Sequence, residues 1–240
     1  NTIQIYDYGR TDNGVFYYAM EYLDGLSLAE MIQRHGPFPA GRVLHILSQV
    51  CGSLSEAHAI GLIHRDIKHA NIMLTCRGGV PDFAKVLDFG LAKDTEAEHA
   101  MTVTVANALA GTPLYFSPEA TKGAKHLDQR SDIYSLGVVA YEMLTGRPPF
   151  QGDSPIDICM KHATKQPPAL SENTPQPIPP RLNELIMRCL EKAPEERPQT
   201  ATELRDRIEE IVAADVTWSY REANDWWKNS HHRASKTVQP

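Results

Sequence analysis

His64-Arg65-Asp66-Ile67-Lys68-His69-Ala70-Asn71 is the stretch on which the reading of this chain turns. It follows a long segment, Pro39 to Ile60, in which Val43, Leu44, Leu47, Val50, Cys51, Leu54 and Ala57 recur at helical spacing. That pattern predicts an amphipathic helix of about five turns, closed by Gly61 as a left-handed cap. Beyond the octet, strand-like pieces at Ile72–Leu74 and Ala84–Leu87 flank a Gly78-Gly79 turn, and the second runs straight into Asp88-Phe89-Gly90. The octet is therefore a loop between helix and strand that holds a carboxylate, a lysine and an amide. A second carboxylate waits at the end of the next hairpin. His-Arg-Asp or Asp-Phe-Gly alone reads equally well as a turn, but the two in order, with Asn five residues after Asp66, are hard to obtain by chance.

Toward the N-terminus, Ile3 to Tyr8 and Val15 to Tyr22 are rich in Ile, Val, Tyr and Phe around Thr11-Asp12-Asn13-Gly14, which predicts a β-hairpin. Asp24-Gly25 breaks the second strand, and Ser27 is placed to cap a short helix through Arg34. Toward the C-terminus, Ser131 to Thr145 is apolar on nearly all sides and predicts a buried helix stopped by Gly146. Further helices are expected at Pro155–Thr164, Pro180–Leu190 and Thr200–Ala214, with a proline-rich loop at Pro167–Pro179. Trp218 to Pro240 is polar apart from Trp226-Trp227 and reads as a tail or linker. A hairpin followed by a mostly helical body predicts an α+β fold. The expected divisions are residues 1–24, 25–214 and 215–240.

The 240 residues are 42% hydrophobic and 22% charged, as in ordinary globular domains. A net charge of -6, with lysines and arginines interspersed among acids, provides no footprint for nucleic acid or an anionic membrane. No apolar run reaches the ~18 residues of a membrane span, and no signal peptide is visible. Cys51, Cys76, Cys159 and Cys189 are scattered without a CxxC pair, so reduced, mostly buried thiols of a cytoplasmic protein are expected. No histidine or cysteine cluster with metal spacing occurs in the body of the chain.

The octet, the later Asp88-Phe89-Gly90 and the segment Gly111-Thr112-Pro113-Leu114-Tyr115-Phe116-Ser117-Pro118-Glu119 together resemble the protein kinase family, with Ser117 where that pattern usually has Ala. The resemblance covers about residues 2–213 and implies a kinase-like fold, mainly its helical C-lobe with a remnant of the β-sheet N-lobe. It implies transfer of the ATP γ-phosphate to serine or threonine of proteins, with Mg2+. Such chemistry rests on positioning and charge neutralisation, which explains the carboxylates, amide and cation. Asp66 would orient the acceptor hydroxyl, Lys68 would steady the γ-phosphate, and Asn71 and Asp88 would hold magnesium. Met20-Glu21-Tyr22-Leu23 resembles the hinge, with Met20 at the back of the adenine pocket, Glu21 and Leu23 bonding the base through their backbones, and Met73 beneath the ring. Lys68 and Thr112 match the serine/threonine type.

Four residues are implied to be structural: His64 and Asp132 in the catalytic loop's support, and Glu119 with Arg197 as a buried ion pair. Arg65 before Asp66 implies control by phosphorylation of the following loop, with Thr102 and Thr104 as the sites. Bacterial members of the family are the nearest in feel, through Arg77–Asp82 and the Thr-rich loop. They imply protein substrates, a membrane anchor outside this chain and dimers for phosphorylation in trans. Nothing here matches the family's glycine-rich loop or strand lysine, so the chain is expected to be truncated at its start and inactive by itself. A pseudokinase scaffold is the alternative reading. A small-molecule phosphotransferase is a more distant one, because such enzymes lack the Ser-Pro-Glu element.

Overall fold

The helix Gln129–Thr145 is the axle of the molecule: Ile133, Tyr134, Leu136, Val138, Val139, Ala140, Tyr141, Met143 and Leu144 are all buried. A helix apolar on every side must be wrapped by other elements, and this one is. In chain order the computed structural model contains β1 (Ile5–Arg10), β2 (Phe16–Met20), β3 (Gly25–Ser27), α1 (Leu28–His35), α2 (Ala40–Ala59), β4 (Ile72–Arg77) and β5 (Val80–Val86). The helical body follows: α3 (Pro118–Thr121), α4 (the axle), α5 (Pro155–Thr164), α6 (Leu170–Asn173), α7 (Pro180–Cys189), α8 (Ala201–Ala214) and α9 (Tyr220–Ala234). The structure describes residues 1–11, 13–89, 113–123, 127–174, 176–214 and 216–234. The expected sites Thr102, Thr104 and Thr112 lie outside the described residues.

Helix α4 starts where the Asp128 carboxylate accepts the Arg130 N–H, and it ends at Gly146, whose φ of 76° is the left-handed conformation glycine adopts without strain. Helices α2, α6 and α7 pack against it, and α8 packs on α2 and α7. At Gly137 the approach is close, since a Cβ there would sit 2.7 Å from Cys189 Cβ. Ser27 and Glu30 form a reciprocal capping box that starts α1. Cys51 and Cys189 are buried and Cys76 is exposed, all of them unpaired.

There are two antiparallel sheets, the β1–β2 hairpin and β3–β4–β5 in that order, and β5 packs against α2. Strands β4 and β5 extend almost to the Gly78-Gly79 turn, longer than their apolar cores alone predict. Residues 1–3 run parallel to the end of β5, with Ile3 N–H to Val86 O at 2.9 Å and Val86 N–H to Asn1 O at 2.8 Å. The proline-rich stretch contains the short α6. The stretch expected as a tail contains α9, and Ala223 and Trp227 on that helix are buried. Its polar average conceals a single apolar face, which is enough to dock a helix.

Candidate active site

The loop His64–Asn71 is held from below by one buried carboxylate. Asp132, 1% exposed in the first turn of α4, accepts the amide N–H of His64 at 2.9 Å and that of Arg65 at 2.8 Å. His58, at the end of α2, places Nε2 2.8 Å from the same carboxylate. Arg65 has φ of 63°, a conformation that costs an ordinary side chain roughly 1–3 kcal/mol. Charge-assisted hydrogen bonds to Asp132 compensate that strain, because two successive amides can converge on one carboxylate only if the chain turns this way. His64 is buried, with Nε2 donating to Leu87 O at 2.8 Å and Nδ1 accepting the Asp66 amide at 3.3 Å. Burial lowers its pKa, and the neutral tautomer fits both bonds.

Above this floor three of the expected residues converge. Lys68 Nζ donates to Asp66 Oδ2 at 2.8 Å; Asn71 Nδ2 donates to the Asp66 carbonyl at 2.9 Å and to the same Oδ2 at 3.1 Å. Among the described residues no group donates to Asp66 Oδ1. Asn71 spends its side-chain nitrogen on Asp66, and among the described residues nothing donates to its side-chain Oδ1. Leu87 N–H donates to Asn71 O at 2.9 Å, which fixes Asp88 relative to Asn71. Asp88 is exposed, with φ of 54°, and Phe89 beside it is buried with its ring 4.7 Å from that of His64. No cluster of three or more His, Cys, Asp or Glu suited to a metal occurs among the described residues. One exposed carboxylate and one amide oxygen do suit magnesium, a hard ion that takes most of its ligands from water and phosphate.

The hinge residues are linked to this cluster through β5. Lys85, in that strand, ion-pairs with Glu21 and donates to Thr2 O at 2.8 Å. Burial pushes the Glu21 carboxyl up, but hydrogen bonds from Lys85 and the Gln4 amide outweigh it and hold the group below its usual range. The Glu21 amide is committed to Gln4 O at 2.9 Å. Met73 is half-buried in the central strand β4, opposite Lys85, while Met20 is exposed on β2 and Leu23 is half-buried. Arg65, within the loop, is exposed.

Glu119 and Arg197 meet as a two-pronged pair, Oε1–Nη1 and Oε2–Nη2 both 2.8 Å, and Ser131 Oγ donates to Oε1 at 2.7 Å. Arg197 is 1% exposed and spends its remaining donors on the carbonyls of Glu191, Arg130 and Lys192. Burial works against the Glu119 charge, yet the Arg197 and Ser131 bonds hold its pKa down at about 2. Below the loop, Tyr115 donates to the buried Glu142, with His69 beside them. Lys85, His58 and Glu142 escaped the sequence reading because only tertiary contact distinguishes them from ordinary strand and helix residues.

The profile of the protein kinase domain matches residues 1–208. The chain belongs to the protein kinase family. The kinase domain is 41% identical over 213 residues to serine/threonine-protein kinase pkn3 of Myxococcus xanthus, spanning 88% of this chain and 39% of that one. It is 40% identical over 220 residues to serine/threonine-protein kinase PknB of Mycolicibacterium smegmatis, spanning 89% and 34%. It therefore spans little more than a third of the length of these curated relatives. Among solved structures it resembles the PknI kinase domain of Mycobacterium tuberculosis, with 30% identity, a TM-score of 0.65, and coverage of 87% and 71%. A structure of Rad53 1-466 in complex with AMP-PNP shares the fold at 22% identity, with a TM-score of 0.70 and coverage of 86% and 49%. In the kinase domain no described helix is long and apolar enough to cross a membrane.

Proposed function

We propose that this kinase domain contributes to transfer of the ATP γ-phosphate to serine or threonine hydroxyls of proteins, and that Asp66 orients the acceptor. The observation that carries this reading is the Asp66 carboxylate, with Oδ2 held by Lys68 and Asn71 and Oδ1 without a donor among the described residues. A hydroxyl that donates to Oδ1 has its lone pair directed away from Asp66, toward the phosphorus. Proton loss is needed only late, as the new O–P bond forms, and Asp66 then takes the proton. Lys68 Nζ, already 2.8 Å from Asp66, is within reach of the transferred group and offsets its charge. Asn71 and Asp88 would hold Mg2+, which would supply neutralisation of the phosphate charges. Asp132 never touches substrate; it keeps Asp66 in place by fixing the two preceding amides.

Serine or threonine acceptors fit a loop with Lys68 two residues after Asp66, and the relatives' names point the same way. The test is phosphate transfer from γ-labelled ATP to a serine- and threonine-containing protein, by a protein in which this domain is joined to a glycine-rich loop and strand lysine, comparing Asp66 with Asp66→Asn. The substitution should lower kcat by about 10²–10⁴ and leave ATP affinity within a few fold. An Asp66→Asn protein that turns over at the wild-type rate overturns the assignment.

A further inference from the structure

A fully buried carboxylate with four hydrogen bonds lies outside the active site. Asp82, the third residue of β5, is fully buried and has φ of 54°. Arg42 reaches it from α2 with two prongs, Nη2 to Oδ1 at 2.6 Å and Nε to Oδ2 at 3.0 Å. Two indoles complete the shell: Trp227 Nε1 donates to Oδ1 and Trp218 Nε1 to Oδ2, each at 2.8 Å. The Arg42 guanidinium lies 3.6 Å over the Trp226 ring and 4.7 Å from that of Phe38. All three tryptophans of the chain thus gather on one buried ion pair, and two of them belong to α9.

A bare Arg42–Asp82 pair in the interior would be costly, since desolvation opposes the Coulomb attraction. The indole N–H groups satisfy the carboxylate lone pairs that Arg42 leaves open, and the rings exclude water. Strand β5 then carries this anchorage toward the active site. Gln49 bonds the Asp82 carbonyl at 2.8 Å and the Ala84 amide at 3.0 Å. Lys85 holds Glu21, Leu87 holds Asn71 and His64, and Asp88 follows. One strand of seven residues links the tryptophan cluster at one end to the hinge and the metal-side carboxylate at the other.

We propose that α9 is a clasp that sets the position of β5, and through it Asp88 and Glu21, with Asp82 as the positioning residue. The importance of Asp88 and Glu21 rests on the function proposed above. The clasp itself is tested without phosphoryl transfer, so either idea can fail alone.

The experiment is hydrogen exchange of the whole chain, followed peptide by peptide, together with tryptophan emission, which reports only on this cluster. Trp227→Phe keeps one aromatic ring, loses the second ring of the indole and removes one N–H bond to a charged acceptor. Gly41→Ala acts from the other side: a Cβ there would meet Thr217 O at 2.3 Å and push the Trp218 segment outward, while alanine suits α2. In both variants, exchange in α9, in residues 83–88 and around Glu21 should rise about tenfold or more, with a red-shifted emission. Exchange in α7 and α4 should stay at wild-type rates. Faster exchange in α9 alone makes the helix a passive appendage and overturns the proposal. So does an equal rise in every segment, which reports global destabilisation, or no rise at all.

Discussion

The loop His64–Asn71 and the β1–β2 hairpin are stabilised in opposite ways. Beneath the loop the buried carboxylates are paired: Asp132 takes three N–H groups, and Glu119 and Arg197 satisfy each other. The hairpin presents Tyr6, Tyr8, Phe16, Tyr17 and Tyr18 as exposed rings, and no residue of β2 is buried. It is attached mainly by backbone bonds and the Lys85–Glu21 pair. Strand propensity alone accounts for the hairpin, whereas the loop exists only because distant residues converge on it. Mutations should therefore be costly in one region and nearly silent in the other.

The largest effect is expected at Arg197. Arg197→Ala leaves Glu119 as a lone charge and strips three carbonyls of their donor, so unfolding by urea should show a loss of about 3–5 kcal/mol. A loss below about 1 kcal/mol would place the helical body's stability elsewhere and blur the contrast with the hairpin.

A smaller effect of known sign follows from pH. The Glu119 pKa is about 2 in the folded chain against 4.5 for the free side chain. Its contribution is complete above pH 4.5 and is lost as the pH falls through 2, because the unfolded chain takes up the proton first. Between pH 5 and pH 3 the loss should be about 2 kcal/mol. Urea midpoints of the wild type and Glu119→Gln at those two pH values isolate it, and the difference between the two proteins should shrink on acidification. The smallest effect belongs to the hairpin: Tyr8→Ser, at a position 80% exposed, should change stability by under about 0.5 kcal/mol in the same assay. A larger loss would mean that the exposed rings have a partner.

Much of this was legible in the sequence, for reasons that differ from element to element. Helix α5 spans the residues expected, Pro155–Thr164, because Ser154 and Pro155 mark its start chemically. Helix α2 follows from its periodicity and Gly61. Asp66, Lys68 and Asn71 meet because they lie within six residues, close enough for local geometry to join them. The reading of Trp218–Pro240 as a tail differs from what the structure describes up to residue 234, since a polar helix with one apolar face has no local mark of docking. Nor could spacing reveal that Asp82, inside what looked like a hairpin turn, would be fully buried.

What the sequence determined by itself, then, was the set of chemical groups and the order in which helix, loop and strand present them. Short-range caps, periodicity and turn residues are written in neighbouring positions. The tertiary structure alone decided which charges would be buried together: Asp132 under the loop, Glu119 on Arg197, Asp82 among the tryptophans. A buried carboxylate is tolerable only where several donors from remote segments arrive at once, and that condition is a property of the folded chain.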